Sequence, residues 1–453
     1  MPVARLLYTL LLVAATPLAA LFLLWRSRRH TGYRRHWAER FAGALPAPQA
    51  ASAERPLIWI HAVSVGETRA AQPLVEALLE QRPDLRILLT HGTPTGREMG
   101  VALFGDRVAR GYLPYDLPWA VAAFLDRQRP ALGLLIETEV WPNLVAGCLA
   151  RGVPLCLVNA RLSERSRRGY ARLRALAEPA FAGLARVVAQ TVADAERLSG
   201  LGARDVRIVG NLKSDADPDP QQMALGASWR AAWHAADAQA GVEPRLIWLA
   251  ASTREGEDGP VIEACRHLAA LTPGALLVWV PRHPHRVADI ERLLDAAGLT
   301  HSRRSLTTAP APGTAVWIGD SLGELAAYIS AADVVFMGGS LAELGGQNLL
   351  EPLALGKPVL VGPHTFNFME LTREAVETGA ALRVSDGQSL GDALAQLLGD
   401  GARRSAMGHL ALELRQRHRG SLERTLVALV DLLPQSGLTP VSPGSGSSLT
   451  GTR

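Results

Sequence analysis

Short apolar runs, each followed by a polar or glycine-bearing loop and then a helical pattern, recur along most of this chain, and few folds admit that alternation. The first run is Leu57-Ile58-Trp59-Ile60, followed by HAVSVGE. Behind it Ala71, Leu74, Val75, Leu78 and Leu79 fall at i, i+3, i+4, i+7 and i+8. A run of that length reads as a buried strand, and the spacing after it as a helix packing one face back on a sheet. Residues 86–90, 132–136 and 154–158 repeat the pattern, with HGTPTG, ETEVWPN and NARLSER behind them. A second series, at 245–250, 275–280, 315–318 and 333–337, precedes ASTREGE, PRHPHR, GDSLGE and GGS. Strands alternating with helices predict parallel α/β sheets. With 453 residues, and roughly 150 per domain, two or three units are expected.

In an open parallel sheet the loops behind the strands lie along one edge, so Glu67, Thr93, Thr95, Glu137, Asn159 and Arg161 are expected to share a cleft. Gly66 is read as the residue that lets the backbone turn and approach a ligand. Glu67 opens a helix, where the dipole favours its anion, and an ionised carboxylate there is placed to take a proton from a substrate hydroxyl. A Glu in a first helical turn is also ordinary helix chemistry, and Asn159 also suits a helix cap.

In the second series, GGSLAELGGQNLLEPLALGKPVLVGP concentrates glycines between a strand and a helix. Glycine-lined turns offer N–H groups to a phosphate without a metal. Neither GxxxxGK[ST] nor GxGxxG is present, which disfavours a P-loop ATPase or an ordinary dehydrogenase. Asn348 and Glu351, three apart on one helix side, suit ribose hydroxyls or a base edge, and Arg282 suits a phosphate.

Charge and hydropathy separate the amino terminus from the remainder. The formal net charge is +4, yet residues 1–50 hold seven Arg and one Glu, 7 − 1 = +6, leaving 4 − 6 = −2 for the rest. Basicity confined to one end disfavours a nucleic-acid binder. Residues 6–24 carry no charge and are long enough for a membrane-spanning helix, flanked by Tyr8 and Trp25. Arg26, Arg28, Arg29, Arg34, Arg35 and Arg40 follow, which predicts an uncleaved anchor rather than a cleaved signal peptide, with the downstream chain in the cytoplasm; the cluster either attracts anionic lipid head groups or only sets the topology. Arginines in the helical stretch 164–184 form either a solvated face or a second lipid-facing surface. Three cysteines are too few for a disulfide framework and read as reduced, buried thiols. DADPDPQQ contains two DxD patterns and reads as a solvated linker. The expected division is an anchor at 1–45, an α/β domain at 46–213, a linker at 214–244, a second α/β domain at 245–433 and a disordered tail at 434–453.

The motifs HAVSVGE, TPTG, YLPYDLP, ETEVWPN, NARLSERS, GNLKSD, PRHP, GDSLGEL, GGS and NLLEPLALGKPVLVGPHTFNF together resemble the 3-deoxy-D-manno-octulosonic acid (Kdo) transferases of Gram-negative bacteria. The resemblance runs over roughly residues 6–430. It implies an α/β protein of GT-B type, with two Rossmann-like domains facing across a cleft. It also implies transfer of Kdo from CMP-Kdo to a lipid A precursor at the cytoplasmic face of the inner membrane, with no metal or other cofactor. By the same resemblance Glu67 is the general base, and Glu137 and Lys213 help stabilise the transition state. Pro281, Arg282, Leu322, Gly323, Glu324, Asn348, Leu349, Leu350 and Glu351 would contact CMP. Arg254 and Gln347 stand where the family carries His.

Overall fold

The computed structural model describes residues 3–28, 31–41, 43 and 55–435. Arg29, residues 44–54 and the expected tail from residue 436 onward lie outside the described residues.

The chain forms two compact units, one from Met1–Asp215 with Gly420–Arg453 and the other from Ala216–Arg419. The first is built on β1 (Leu57–His61), β2 (Arg86–His91), β3 (Ala109–Tyr112), β4 (Leu132–Ile136), β5 (Leu155–Ala160), β6 (Arg186–Ala189) and β7 (Val206–Ile208). These pair in parallel in the order β3-β2-β1-β4-β5-β6-β7. The second holds β8 (Ile247–Thr253), β9 (Leu276–Pro281), β10 (His301–Arg303), β11 (Val316–Ile318), β12 (Val334–Met337), β13 (Val359–Val361) and β14 (Ala381–Arg383), ordered β10-β11-β9-β8-β12-β13-β14. Winding reverses between β1 and β4 in one sheet and between β8 and β12 in the other. Loops diverge at such a switch point and leave a crevice at the carboxyl edge.

Both faces of each sheet are covered, so the central strands are buried throughout and read as continuous apolar runs. Helix Val65–Gln81 buries Ala71, Leu74, Val75 and Leu78, as its spacing predicts. Trp59 and Trp279 lie in the interior and spend their indole N–H groups on Thr90 and Thr253, each at 2.8 Å, so neither buries an unpaired donor.

Two expected boundaries are corrected. Residues 220–239, assigned to a linker, form the helix Pro220–Gln239, capped by Asp219 with Pro220 in its first turn. Its Trp229 and Trp233, four apart, sink into a cluster with Trp317 and Tyr328. Gly226 lets this helix approach Leu325–Ala331, since a Cβ there would lie 2.2 Å from the Ala327 carbonyl oxygen. The second domain also does not run to residue 433. Helix Ser421–Leu429 returns to the first unit, where Leu429 is buried beside Ile58, Leu74 and Val188. The aspartates of DADPDP are each engaged within one unit. Asp215 accepts from the Gly420 and Leu422 N–H groups, Asp217 from Arg415, and Asp219 from Gln221.

Near the amino terminus Val3–Arg26 is helical, and by length and composition it can cross a membrane. Arg40, grouped with the lipid-facing arginines, is instead buried, donating to the Gly92 carbonyl at 3.0 Å and stacking on Tyr112. The basic stretch expected as one helix is two, Glu164–Arg172 and Arg174–Ala182. Glu164 accepts from Arg167 and Arg168 and Glu178 from Arg174, while Arg165 and Arg172 are exposed.

Candidate active site

Behind β1, Ser64 caps helix Val65–Gln81, its side chain accepting the Glu67 N–H, and Glu67 bends back over the same turn. The Glu67 carboxylate accepts from the Val63 N–H at 2.7 Å and from the Ser64 hydroxyl at 2.9 Å. Only half of the S-x-x-E capping pattern is used: Ser64 accepts the Glu67 N–H, but the half-buried carboxylate reaches the Val63 N–H and not that of Ser64. Burial pushes the Glu67 carboxyl up to about 7, and Glu137 and Glu139 push the same way, while the Val63 and Ser64 bonds pull it down. Desolvation thus opposes the helix terminus, which favours the anion, and at about 7 both forms of the carboxyl are populated near neutral pH. The sharp turn expected at Gly66 is not formed there. The Gly66 backbone is helical, and a Cβ there would meet nothing nearer than the Ser64 hydroxyl at 3.8 Å, so no turn requires glycine.

The loop behind β4 brings a second acid. Glu137 has φ of 66°, a left-handed backbone that costs a non-glycine residue about 1–2 kcal/mol. Its carboxylate accepts from the Lys213 ammonium at 2.9 Å and lies 3.4 Å from the Arg161 guanidinium. Residues behind β4, β5 and β7 thereby converge, although 76 positions separate Glu137 from Lys213. Glu139, which the sequence reading passed over, accepts from the Trp141 indole at 2.9 Å and is raised by burial. Its place two residues after Glu137 in ETEVW was the available signal.

Of three other residues expected in the cleft, Thr93 and Asn159 hold loops in place and Thr95 is exposed. Thr93 caps helix Pro94–Phe104 and donates to the Val63 carbonyl at 3.0 Å. Thr95 lies beside Thr93. Asn159 is buried with φ of 54° and accepts from the Leu212 N–H at 3.0 Å, placing the turn that carries Lys213. His61 and His91 are buried, and desolvation lowers them to about 3 and about 4, so both stay neutral near pH 7. His91 contacts the Ala62 carbonyl at 3.0 Å and steadies the loop before Glu67.

In the second unit the glycine turn behind β12 is organised by one acid. Glu257 is fully buried and accepts from the N–H groups of Arg254 (2.8 Å), Gly339 (2.6 Å), Ser340 (2.9 Å) and Leu341 (3.0 Å). Gly339, Ser340 and Leu341 open the glycine-bearing stretch that the sequence reading offered to a phosphate. Their N–H groups are already satisfied, and replacing an internal carboxylate by a ligand would strand a buried charge. Two of the glycines serve close packing: a Cβ on Gly338 would lie 2.6 Å from Thr253 Cα, and one on Gly362 2.2 Å from the Ser340 carbonyl oxygen.

The remaining candidates divide by exposure. Arg282 is exposed at the carboxyl end of β9, where its N–H donates to the Thr253 carbonyl at 3.0 Å, and Pro281 beside it is buried. Behind β11, Leu322 and Gly323 are exposed, and Glu324 accepts from Arg304 at 3.3 Å and from the Ser321 hydroxyl. Asn348 accepts the Leu350 N–H at 3.1 Å, and Glu351 is exposed. Leu349 and Leu350 are buried, Leu349 within the core, so their side chains are packing rather than a nucleotide surface. All these loops lie at the carboxyl edge, because every strand pair in this sheet is parallel. Arg254 and Gln347 flank Gly339 together, 3.6 and 3.2 Å from where its Cβ would stand.

Comparison with known proteins agrees over most of the chain. The family model described as 3-Deoxy-D-manno-octulosonic-acid transferase (kdotransferase) matches residues 35–216, and that of Glycosyl transferases group 1 matches residues 311–413. A 3-deoxy-D-manno-octulosonic acid transferase of Bordetella pertussis is 46% identical over 438 residues, covering 94% of this chain and 99% of that protein. The enzyme of the same name from Haemophilus influenzae is 38% identical, covering 95% and 98%. Among solved structures, HepE of Anabaena in complex with UDP aligns with a TM-score of 0.57 at 15% identity, over 83% of this chain and 100% of that one, a likeness of fold alone. The chain is a glycosyltransferase of the GT-B fold and belongs to the 3-deoxy-D-manno-octulosonic acid transferase family.

Proposed function

We propose that this protein transfers Kdo from CMP-Kdo to a sugar hydroxyl of a lipid A precursor, lipid IVA, releasing CMP with inversion, at the cytoplasmic face of the inner membrane. The observation that carries the chemical part is Glu67, a half-buried carboxyl at the switch point of the first sheet, poised at about 7. A general base works best when its pKa lies near the working pH. In the step, the acceptor oxygen bonds to the anomeric carbon of Kdo from the side opposite the phosphate. The bond from that carbon to the phosphate oxygen breaks, its electron pair leaving with CMP, and the hydroxyl proton passes to Glu67. Lys213 and Arg161, held by Glu137, supply positive charge near the acid, and Arg282 with Asn348 and Glu351 binds the nucleotide on the second unit. CMP leaves as an anion whose charge is spread over phosphate, so the step is assigned no metal.

Full-length protein incubated with CMP-Kdo and lipid IVA is expected to release CMP and form a Kdo-lipid whose anomeric configuration, read by NMR, is inverted. Retention would overturn the direct displacement, and absence of transfer by folded protein would overturn the acceptor. Transfer should survive dialysis against EDTA. CMP should raise the Tm where UDP does not, by a mass-action shift.

A further inference from the structure

The amino-terminal helix is tied to the first unit at both ends. Near its start, the Tyr8 hydroxyl donates to the Asp116 carboxylate at 3.0 Å, and the Asn143 side-chain amide donates to the Thr9 hydroxyl at 3.0 Å. Asp116 and Asn143 are buried, and the same carboxylate accepts the Asn143 and Leu144 N–H groups at 2.9 and 2.7 Å, so this junction belongs to the folded body. At the other end Arg34 donates to the Ser27 hydroxyl at 3.0 Å, and Arg26 stacks over Tyr33. That following segment is itself seated on the unit: Gly32 packs on Pro94, and Glu39 accepts from Arg97 at 2.7 Å and from the Tyr112 N–H at 2.8 Å.

Burial along the helix repeats with its turns. Arg5, Tyr8, Thr9, Leu12, Thr16 and Leu23 are the sheltered side, the spacing of one helical face, and they run almost the full length. The opposite side exposes Leu7, Leu11, Leu18, Leu21 and Trp25, each at least half exposed. A contiguous apolar face of this kind is rare on a surface that meets only water. Its flank is basic, since Arg26, Arg28, Arg34 and Arg35 are all exposed.

The distance from Thr9 to Ser27 along the helix is about 27 Å at about 1.5 Å per residue, close to a hydrocarbon thickness of about 30 Å. A helix that crossed would carry Thr9 to the far side, away from Asn143. We infer that the helix lies in the plane of an anionic membrane leaflet along one face of the first unit and does not cross the bilayer. Apolar side chains enter the acyl region, the exposed arginines meet anionic headgroups, and Tyr8 and Thr9 stay latched to Asp116 and Asn143. The inference deepens the membrane association of the proposed function and rests on that association, not on the identity of donor or acceptor.

Full-length protein carrying both Thr9→Cys and Asn143→Cys, oxidised with copper phenanthroline in native membranes, tests it. The expected result is an internal disulfide, read as two fewer maleimide-polyethylene glycol tags than in the reduced sample. The oxidised protein should also float with vesicles of phosphatidylglycerol and phosphatidylethanolamine. An unchanged tag count in membranes, with the reduced variant still transferring Kdo, would mean a crossing helix and overturn the inference, as would an oxidised protein that fails to float. If the double variant does not fold, Val3→Cys decides alone. Labelling by an impermeant maleimide in inside-out vesicles supports the in-plane helix, and labelling in spheroplasts refutes it. Loss of transfer by a folded, cross-linked protein would count against the proposed acceptor and leave the helix placement standing.

Discussion

A carboxyl group near two other acids and partly out of water is a reluctant anion, and Glu67 owes its chemistry to that reluctance. Because the active form of a base is the deprotonated one, transfer is expected to rise with pH through about 7 and level off above it. Replacing Glu67 with Gln should lower transfer about 10²–10⁴-fold while CMP still raises the Tm, and equal loss of both would remove Glu67 from the role of base. The Ser64 hydroxyl lowers the Glu67 pKa, so Ser64→Ala should shift the rising limb of the pH profile upward. The same change removes a helix cap worth about 1 kcal/mol, which a Tm measurement separates from the pH effect. Legibility at this scale was partial. HAVSVGE placed Glu67 at a helix start, but its protonation depends on Glu137 and Glu139, some seventy positions away, and on burial that no local pattern encodes.

Among the elements, the turn behind β12 depends on a residue from the loop behind β8. Glu257→Ala would leave the Gly339, Ser340 and Leu341 N–H groups without their acceptor at about 1–3 kcal/mol each. Thermal unfolding should show a large loss of stability, and CMP protection should weaken with it. An unaltered CMP response would separate the turn from the nucleotide. The helix Pro220–Gln239 makes a similar point. Asp219 and Pro220 announced its start, but the proline and acidic residues around them read as a linker until Trp233 is seen fully buried. Trp233→Ala should cost about 3–5 kcal/mol, measured by denaturant unfolding. The strands were legible because apolar runs of four to six residues are a local signal. Strands whose apolar run is interrupted or replaced by charge, such as β3 (ARGY) and β10 (HSR), carry too little pattern to be read.

For the whole molecule, connectivity matters more than any single motif. The chain passes between units at residues 215–216 and returns at 419–420, so the first unit is completed by the last described helix. Ending the chain at residue 419 should therefore destabilise the first unit, and Leu429→Ala alone should cost about 2–5 kcal/mol, visible by calorimetry as a lowered transition. The sequence by itself determined the alternation of strand and helix, the parallel class of the sheets, the apolar amino terminus and the family motifs, because neighbouring residues carry each of these signals. Only the tertiary structure decided the strand order, the pairing of Glu137 with Lys213 and Arg161, the commitment of the glycine-turn amides to Glu257, and the core positions of Leu349 and Leu350. Desolvation, ion pairing and hydrogen-bond satisfaction are sums over groups brought together by folding, and residues far apart in sequence supply their largest parts.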